Sequence, residues 1–379
     1  MKVVIASDKF KGSLTSHQVA DAIEEGILEA MPACEIDKLP VADGGDGTAA
    51  AIVESTGGVW IEEPSEDPLG RPINARFGAI DSQTAVVDVA TASGIALLQP
   101  DEYDALNASS KGTGILIREA IRHGFRNFKI GVGGSATNDA GTGLLSALGY
   151  RFLDDHGNEL EPCGRSLSRI ASIDQSGRMK ELDECSFTVM CDVDAAFYGP
   201  KGAACLFAPQ KGATEKIVEA LDDGLRSLAA LIKKTYGKSV QNQSYAGAAG
   251  GIGGSLWAML GASLTPGIYA MLKTINFEAR IADADLVVTG EGQMDSLTLL
   301  GKAPYGVCGE AAYNGIPTIA FVGSVADSAS LNEYGFLSVY PTVPGPMPLE
   351  EAMRSDVAYE NLKRTSTQVF RTLLINQKN

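Results

Sequence analysis

A chain of 379 residues exceeds what one ordinary hydrophobic core supports, so two domains are expected. Its net charge of −16 disfavours nucleic acid or an anionic membrane surface as a partner, and an anionic substrate would need positive charge gathered locally. Six cysteines without a Cys-x-x-Cys pair, and only three histidines, argue against a zinc site or disulfide framework and make a reducing cytoplasm the expected location. The opening MKVVIASDKF has no secretory apolar core, and no apolar run approaches the roughly 18 residues of a membrane span.

Lys2 to Ser7 reads as a strand. Thr15-Ser16-His17-Gln18 has capping-box form, and Val19, Ala22, Ile23, Ile27 and Ala30 follow at helical spacing until Pro32. A second strand-like run, Glu35 to Val41, enters Asp43-Gly44-Gly45-Asp46-Gly47-Thr48 and an alanine-rich helix. This βαβ opening puts both loops at the carboxyl ends of parallel strands, the edge where open α/β sheets bind ligands. From Val59 to Val89, extended runs broken by Pro64, Pro68-Leu69-Gly70 and Asp81-Ser82 predict hairpins and a domain boundary near Pro64.

A helix near Gly114 to His123 precedes the stretch Phe128 to Leu145, FKIGVGGSATNDAGTGLL. A strand here feeds a Gly-rich turn and a helix N-terminus. That makes an anion cradle, because missing Cβ atoms let backbone N–H groups approach and first-turn donors are unpaired. Tight turns and close helix packing explain Gly131, Gly133, Gly134, Gly141 and Gly143 equally well, and Gly131 to Ala136 lacks the dinucleotide fingerprint.

A polar hairpin around Asp154 to Gly157 follows, then a strand, Ser186 to Cys191, ending in Asp192-Val193-Asp194. A long amphipathic helix covers Thr214 to Thr235, and Ala246 to Gly254 is a second glycine loop. From Ala284 the βα pattern returns with strand Asp285 to Thr289, helix Pro304 to Tyr313 and strand Pro317 to Val322, before a Pro/Gly-rich surface loop at Pro341 to Pro348. The expected fold class is α/β. Residues 1–63 and 284–379 form a Rossmann-like parallel-sheet domain built from both chain ends, and residues 64–283 an inserted mixed α+β domain.

Carboxylates sit in or beside glycine at strand ends: Asp8, Asp43, Asp46, Asp139, Asp192, Asp194, Glu291 and Asp295. Mg²⁺ prefers carboxylate, water and phosphate oxygen, and a hydroxyl nucleophile wants a carboxylate within reach. Each alone is equally a turn-former or helix cap. Lys11, Lys111, Lys201, Lys211 and Lys302 each adjoin a glycine and could neutralise charge during phosphoryl transfer, or be solvated turn lysines. Ser13, Ser135, Thr137 and Ser296 could donate to ligand oxygens or merely cap helices. No P-loop, His-Arg-Asp or Asp-Phe-Gly motif is present, and no histidine lies in these loops. A carboxylate base, Mg²⁺ and lysines remain, the equipment of a small-molecule kinase.

In order along nearly the whole chain, Ser7 to Leu14, Asp43 to Thr48, Gly131 to Gly143, Cys191 to Asp194, Gly199-Pro200, Phe207 to Ala213, Gly247 to Gly253, Thr289 to Ser296 and Gly301 to Pro304 resemble the motif series of the type I glycerate kinases. The resemblance implies phosphorylation of D-glycerate by ATP with Mg²⁺, in a cleft between a Rossmann-like domain and a second α/β domain. The chain departs from the family pattern at Ser7-Asp8-Lys9, Ala105-Leu106, Ala195-Ala196 and Gln293, the last removing an arginine that could clamp a carboxylate or phosphate.

On this reading Asp192 is the base that accepts the glycerate hydroxyl proton, Asp43 or Asp295 shares metal or base duty, and Asp43 and Asp192 are the metal residues. Lys11, Lys211 and Lys302 meet phosphate or the glycerate carboxylate. Asp8, Ser13, Gly44, Gly45, Gly133, Gly134, Ser135, Thr137, Asn138, Asp139, Gly250, Gly251 and Glu291 complete the substrate and nucleotide site. The partners are small molecules, with neither nucleic acid nor membrane. The product, 2- or 3-phosphoglycerate, and the oligomeric state, a homo-oligomer included, stay open. A non-catalytic sensor of a phosphorylated metabolite or sugar acid is the alternative, although a pure anion binder gains nothing from clustered carboxylates. A nicotinamide-dependent dehydrogenase is weakened by the missing fingerprint.

Overall fold

A computed structural model describes residues 1–295 and 298–374, so Ser296 lies outside the described residues. The strands are β1 (Lys2–Ile5), β2 (Glu35–Lys38), β3 (Val59–Glu66), β4 (Pro72–Ala79), β5 (Thr84–Asp88), β6 (Asn127–Gly131) and β7 (Arg151–Leu153). They continue with β8 (Ser172–Asp174), β9 (Ser186–Cys191), β10 (Ser263–Pro266), β11 (Leu286–Met294), β12 (Thr318–Val325) and β13 (Phe336–Pro341). The chain divides into two compact units, one of Met1–Asp43, Glu54–Thr56 and Ile268–Asn379, the other of Gly44–Val53 and Gly57–Gly267. The sequence texture changes at the hairpins near residue 64, whereas the units part at Gly44, inside a glycine loop.

The first unit holds a fully parallel sheet in the order β13-β12-β11-β1-β2. Val3, Val4 and Ile5 of β1 are all completely buried, as the continuous apolar run of a strand covered on both faces should be. Counted along this unit alone, the strand order is 2-1-3-4-5, a doubly wound sheet whose direction of progression reverses between β1 and β11. The crevice outside the carboxyl ends of those two strands is where such sheets take ligands.

Helix Ser16–Ala30 starts on the expected capping box: Gln18 N donates to Thr15 Oγ1 at 3.2 Å and Thr15 N to Gln18 Oε1 at 2.9 Å. It packs on helix Ser355–Leu373 so closely that a Cβ on Gly26 would lie 2.4 Å from the Lys363 carbonyl oxygen. The latter helix escapes a sequence reading because Asn361, Ser366 and Thr367 share its buried face and blur the apolar period.

The second unit carries a six-stranded mixed sheet, β10-β9-β6-β5-β4-β3, in which β5, β6, β9 and β10 run parallel and β3, β4 and β5 form the expected hairpins. Phe128 and Phe187 are register partners on β6 and β9 and stack at 5.1 Å. The four parallel strands end on one edge, and the loops that leave it carry the glycines and acids of interest. The α/β class therefore holds, with a parallel-sheet unit from both chain ends and a mixed unit inserted.

Three local expectations change. The helix after the first glycine stretch begins only at Thr142 and spans Thr142–Ala147, leaving residues 132–141 as an extended loop. Ala246 to Gly254 is not all loop: Ala249, Gly250 and Gly251 sit at positive φ, and regular helix continues beyond them to Leu260. β11 runs past Thr289 to Met294, which puts Glu291 on a strand. No helix among the described residues is long and apolar enough to cross a membrane.

Candidate functional site

In the first unit the chain leaves β1 through Ser7 and Asp8, and Asp8 N donates to the Gly290 carbonyl of β11 at 3.0 Å. Asp8 thus stands at the reversal point of the sheet. Its side chain is buried, and burial together with the neighbouring Asp43 charge pushes its carboxyl well above the ordinary range. The Lys9 N–H, at 2.7 Å from Oδ1, and the Lys9 charge oppose this, while Glu291 adds to it.

Glu291 is held above its ordinary pKa chiefly by burial, offset by Thr298 Oγ1, which donates to it at 2.5 Å, and by Lys302 Nζ at 3.3 Å. Asp295 joins through the same threonine, its N–H donating to Thr298 Oγ1 at 3.2 Å. Gln293 Nε2 donates to Asp295 Oδ2 at 3.3 Å. Lys11 lies exposed on a turn whose backbone passes 3.5 Å from where a Cβ of Gly292 would be. The Ser13 hydroxyl on that turn is buried and without a partner among the described residues.

The first unit therefore gathers Asp8, Asp43, Glu291 and Lys302. Three carboxylates that feel one another's charge favour a cation, and their hard oxygens suit Mg²⁺. Among the described residues no group of three or more His, Cys, Asp or Glu could hold a metal unaided. Mg²⁺ in phosphoryl transfer takes one or two carboxylates and completes its shell with water and phosphate oxygen, so the donor set fits an ion that arrives with its nucleotide.

In the second unit the loop after β6 lies against Gly44 and Gly45. The Gly44 carbonyl accepts from Val132 N at 3.2 Å and Gly133 N at 3.3 Å, and a Cβ on Gly133 would be 2.4 Å from Gly45 Cα. The second glycine loop packs here as well: Ala140 N donates to the Gly250 carbonyl at 3.0 Å, and a Cβ on Gly250 would be 2.2 Å from the Thr137 oxygen. These glycines are needed because backbones meet, and Gly250 also sits at φ +69°.

Four non-glycine residues among those described have positive φ, and of these Ala140 and Ala249 are in the two loops and Tyr245 immediately precedes the second. Such strain concentrates at functional sites. After β9, Asp192 and Asp194 are exposed. Asp194 Oδ1 accepts from Tyr245 N at 2.7 Å, and Gly247 N donates to Ala195 O at 2.9 Å, tying the acidic turn to the second glycine loop.

The expected anion cradle at the helix N-terminus is filled by the chain itself. Asp139 is completely buried and accepts from Gly141 N (3.0 Å), Gly143 N (3.1 Å), Ser110 N (2.8 Å) and Ser110 Oγ (2.7 Å). Burial raises its pKa and these four donors pull it back. A carboxylate already sits where a phosphate was expected, and residues 133–138 of the loop lie upstream of it.

Lys211, expected to face a ligand, is instead buried beneath that part, its Nζ donating to Ser135 Oγ at 2.9 Å and to the Thr137 carbonyl at 2.7 Å. Burial lowers its pKa to about 8, against the opposing charge of Asp139. Thr137 Oγ1 and both polar atoms of the Asn138 amide are buried with no partner among the described residues. Native proteins seldom leave such atoms unpaired without a use.

The Lys211 shift carries a stability prediction. The unfolded chain keeps this proton up to about pH 10.5 and the folded chain loses it at about pH 8, so U binds more protons between these values and stability rises with pH across that window. Urea unfolding from pH 7.5 to 10.5 should show the wild type gaining on the order of a few kcal/mol relative to Lys211→Met. Parallel curves for the two proteins would contradict the burial of an ammonium.

Sequence reasoning missed Ser110 and Asp88. Apolar spacing suggests a helix from Gly114, yet it starts at Lys111, and a serine just before a helix is a signal that could have been used. Asp88 accepts from Ala49 N with both oxygens at 3.1 Å, serving a helix start 39 positions away that no local pattern reveals.

The pattern that defines the Glycerate kinase family matches residues 3–374. The chain is 43% identical to the glycerate kinase of Bacillus subtilis (strain 168) over 371 residues, 97% of each chain. It is 41% identical to the glycerate 2-kinase of Escherichia coli (strain K12) over 381 residues, all of both. A crystal structure described as glycerate kinase 2 from Salmonella typhimurium LT2 superimposes with a TM-score of 0.89 at 41% identity, covering both chains fully.

Proposed function

Since the chain belongs to the glycerate kinase family, we propose that it transfers the γ-phosphoryl group of ATP to the 2-hydroxyl of D-glycerate, giving 2-phosphoglycerate. The choice of hydroxyl is supported by the end-to-end likeness to a relative named glycerate 2-kinase. The observation that carries the phosphotransfer reading is the group of buried Asp8 and Glu291 with half-buried Asp43, and Lys302 beside it, at the reversal point of a doubly wound sheet.

Mg²⁺, when bound, would neutralise charge on the transferring phosphoryl group, and Asp43 would hold it with Asp8 or Glu291 as further oxygen donors. Asp192 would accept the glycerate hydroxyl proton from its exposed turn after β9. Lys11, exposed, would meet phosphate, while Lys302 holds Glu291 in place. The 133–138 loop would orient ligand oxygens through its backbone, Thr137 and Asn138, with Lys211 fixing its shape from below. Asp295 would support Glu291 through Thr298.

The test is ADP release from ATP, Mg²⁺ and D-glycerate, followed by phosphorus NMR of the product. Absence of ADP release overturns the kinase reading, and 3-phosphoglycerate overturns the regiochemistry alone.

A further inference from the structure

We infer that Ser110 is a positioning residue for the 133–138 loop: its hydroxyl and N–H clamp Asp139, and through Asp139 they fix Thr137 and Asn138. This rests on the reading that the loop meets a ligand of the phosphotransfer reaction.

Ser110 is completely buried and immediately precedes helix Lys111–Arg122. A serine there ordinarily caps its own helix. This one makes no such bond; its hydroxyl donates to Asp139 Oδ2 at 2.7 Å and accepts from Leu144 N at 2.9 Å. Asp139 Oδ2 thereby collects Ser110 N, Ser110 Oγ and Gly143 N, while Oδ1 takes Gly141 N.

The surroundings leave no slack. A Cβ on Gly114 would be 2.3 Å from the Leu144 oxygen and one on Gly143 would be 2.7 Å from Lys111 N, so helix Lys111–Arg122 and the short helix Thr142–Ala147 that follows the loop touch backbone to backbone. On the other flank Lys211 Nζ grips Ser135 and the Thr137 carbonyl. Between these two anchors lie the buried Thr137 hydroxyl and Asn138 amide, unpartnered among the described residues and pointing to a ligand that supplies their missing bonds. A binding group held at both flanks is pre-organised, and removing one anchor loosens it.

Steady-state kinetics of Ser110→Ala with D-glycerate and MgATP, run well below its unfolding temperature, should show KM for at least one substrate raised about tenfold, the cost of one hydrogen bond, with kcat changed less than about threefold. Ser110→Thr restores a hydroxyl and should return KM to within about threefold of wild type. Wild-type KM in folded Ser110→Ala overturns the inference, as does a threonine variant as impaired as the alanine one. Should Ser110→Ala fail to fold, hydrogen exchange on the wild type decides. Gly141, Gly143 and Leu144 amides should exchange as slowly as those of β6, and exchange at the rate of exposed loops overturns the clamp. A wild type without turnover retires the kinase reading itself, whereas a turning-over wild type indifferent to Ser110→Ala retires only the clamp.

Discussion

Replacing Asp192 by asparagine should lower kcat on the order of 10²- to 10⁴-fold with glycerate and MgATP while barely changing stability. Asparagine keeps the shape of the side chain but cannot accept the proton of an attacking hydroxyl. The side chain is exposed, and a surface substitution of this kind should stay within about 0.5 kcal/mol of wild type in urea unfolding. The turn it rides on is held independently, by Asp194 on Tyr245 N and by Gly247 N on Ala195 O. Asp194→Asn is therefore the control: it weakens the turn's tether without touching the proposed base, and its loss should be smaller. Turnover of Asp192→Asn within threefold of wild type, read by ADP release, would remove Asp192 from the chemistry.

The second large effect is on stability. Asp139→Ala should cost about 3 to 5 kcal/mol in the unfolding of the second unit, because it deletes the partner of four buried donors at once. It also strips Lys211 of the charge that opposes its desolvation. Asp139→Asn should be milder, since one amide oxygen can still accept while the amide nitrogen faces donors. The measurement is urea unfolding followed by a probe in the second unit, because a chain of two compact units need not unfold in one step. A loss below about 1 kcal/mol for the alanine variant would mean the four donors find other partners.

The outcomes at Asp192 and Asp139 also separate what local sequence encodes from what it does not. Thr15 and Gln18 announce a helix start three residues apart, and the structure has that capping box. Strand runs such as Ser186 to Cys191 end where apolar alternation meets Asp192, again a local signal. The acids and glycines of the loops could be read as a set for the same reason, each being adjacent to a strand end.

Their division of labour could not. Asp139 looks like any carboxylate beside glycine until Ser110, 29 positions upstream, arrives to bind it. Gly133 and Gly250 look like phosphate-cradle glycines, but each faces another backbone, Gly45 in one case and Thr137 in the other. Lys211 adjoins a glycine exactly as Lys11 does, yet one is buried and the other exposed. Tertiary packing decides each of these, and pattern spacing carries no record of it.

The place of β1 has a consequence for how the molecule is made. It lies between β2 and β11, and the latter is encoded by residues Leu286–Met294. During synthesis from the N-terminus at about 5 to 20 residues per second, the β1 edge destined for β11 emerges on the order of 10 to 50 s before its partner exists. The second unit, all of whose strands lie between residues 59 and 266, can complete its sheet within that interval. The nascent β1 segment, with Val3, Val4 and Ile5 all destined for the interior, must be kept from other chains until then. Ribosome-stalled chains just long enough for residue 270 to have cleared the exit tunnel should accordingly carry a protease-resistant second unit and a protease-sensitive N-terminal segment.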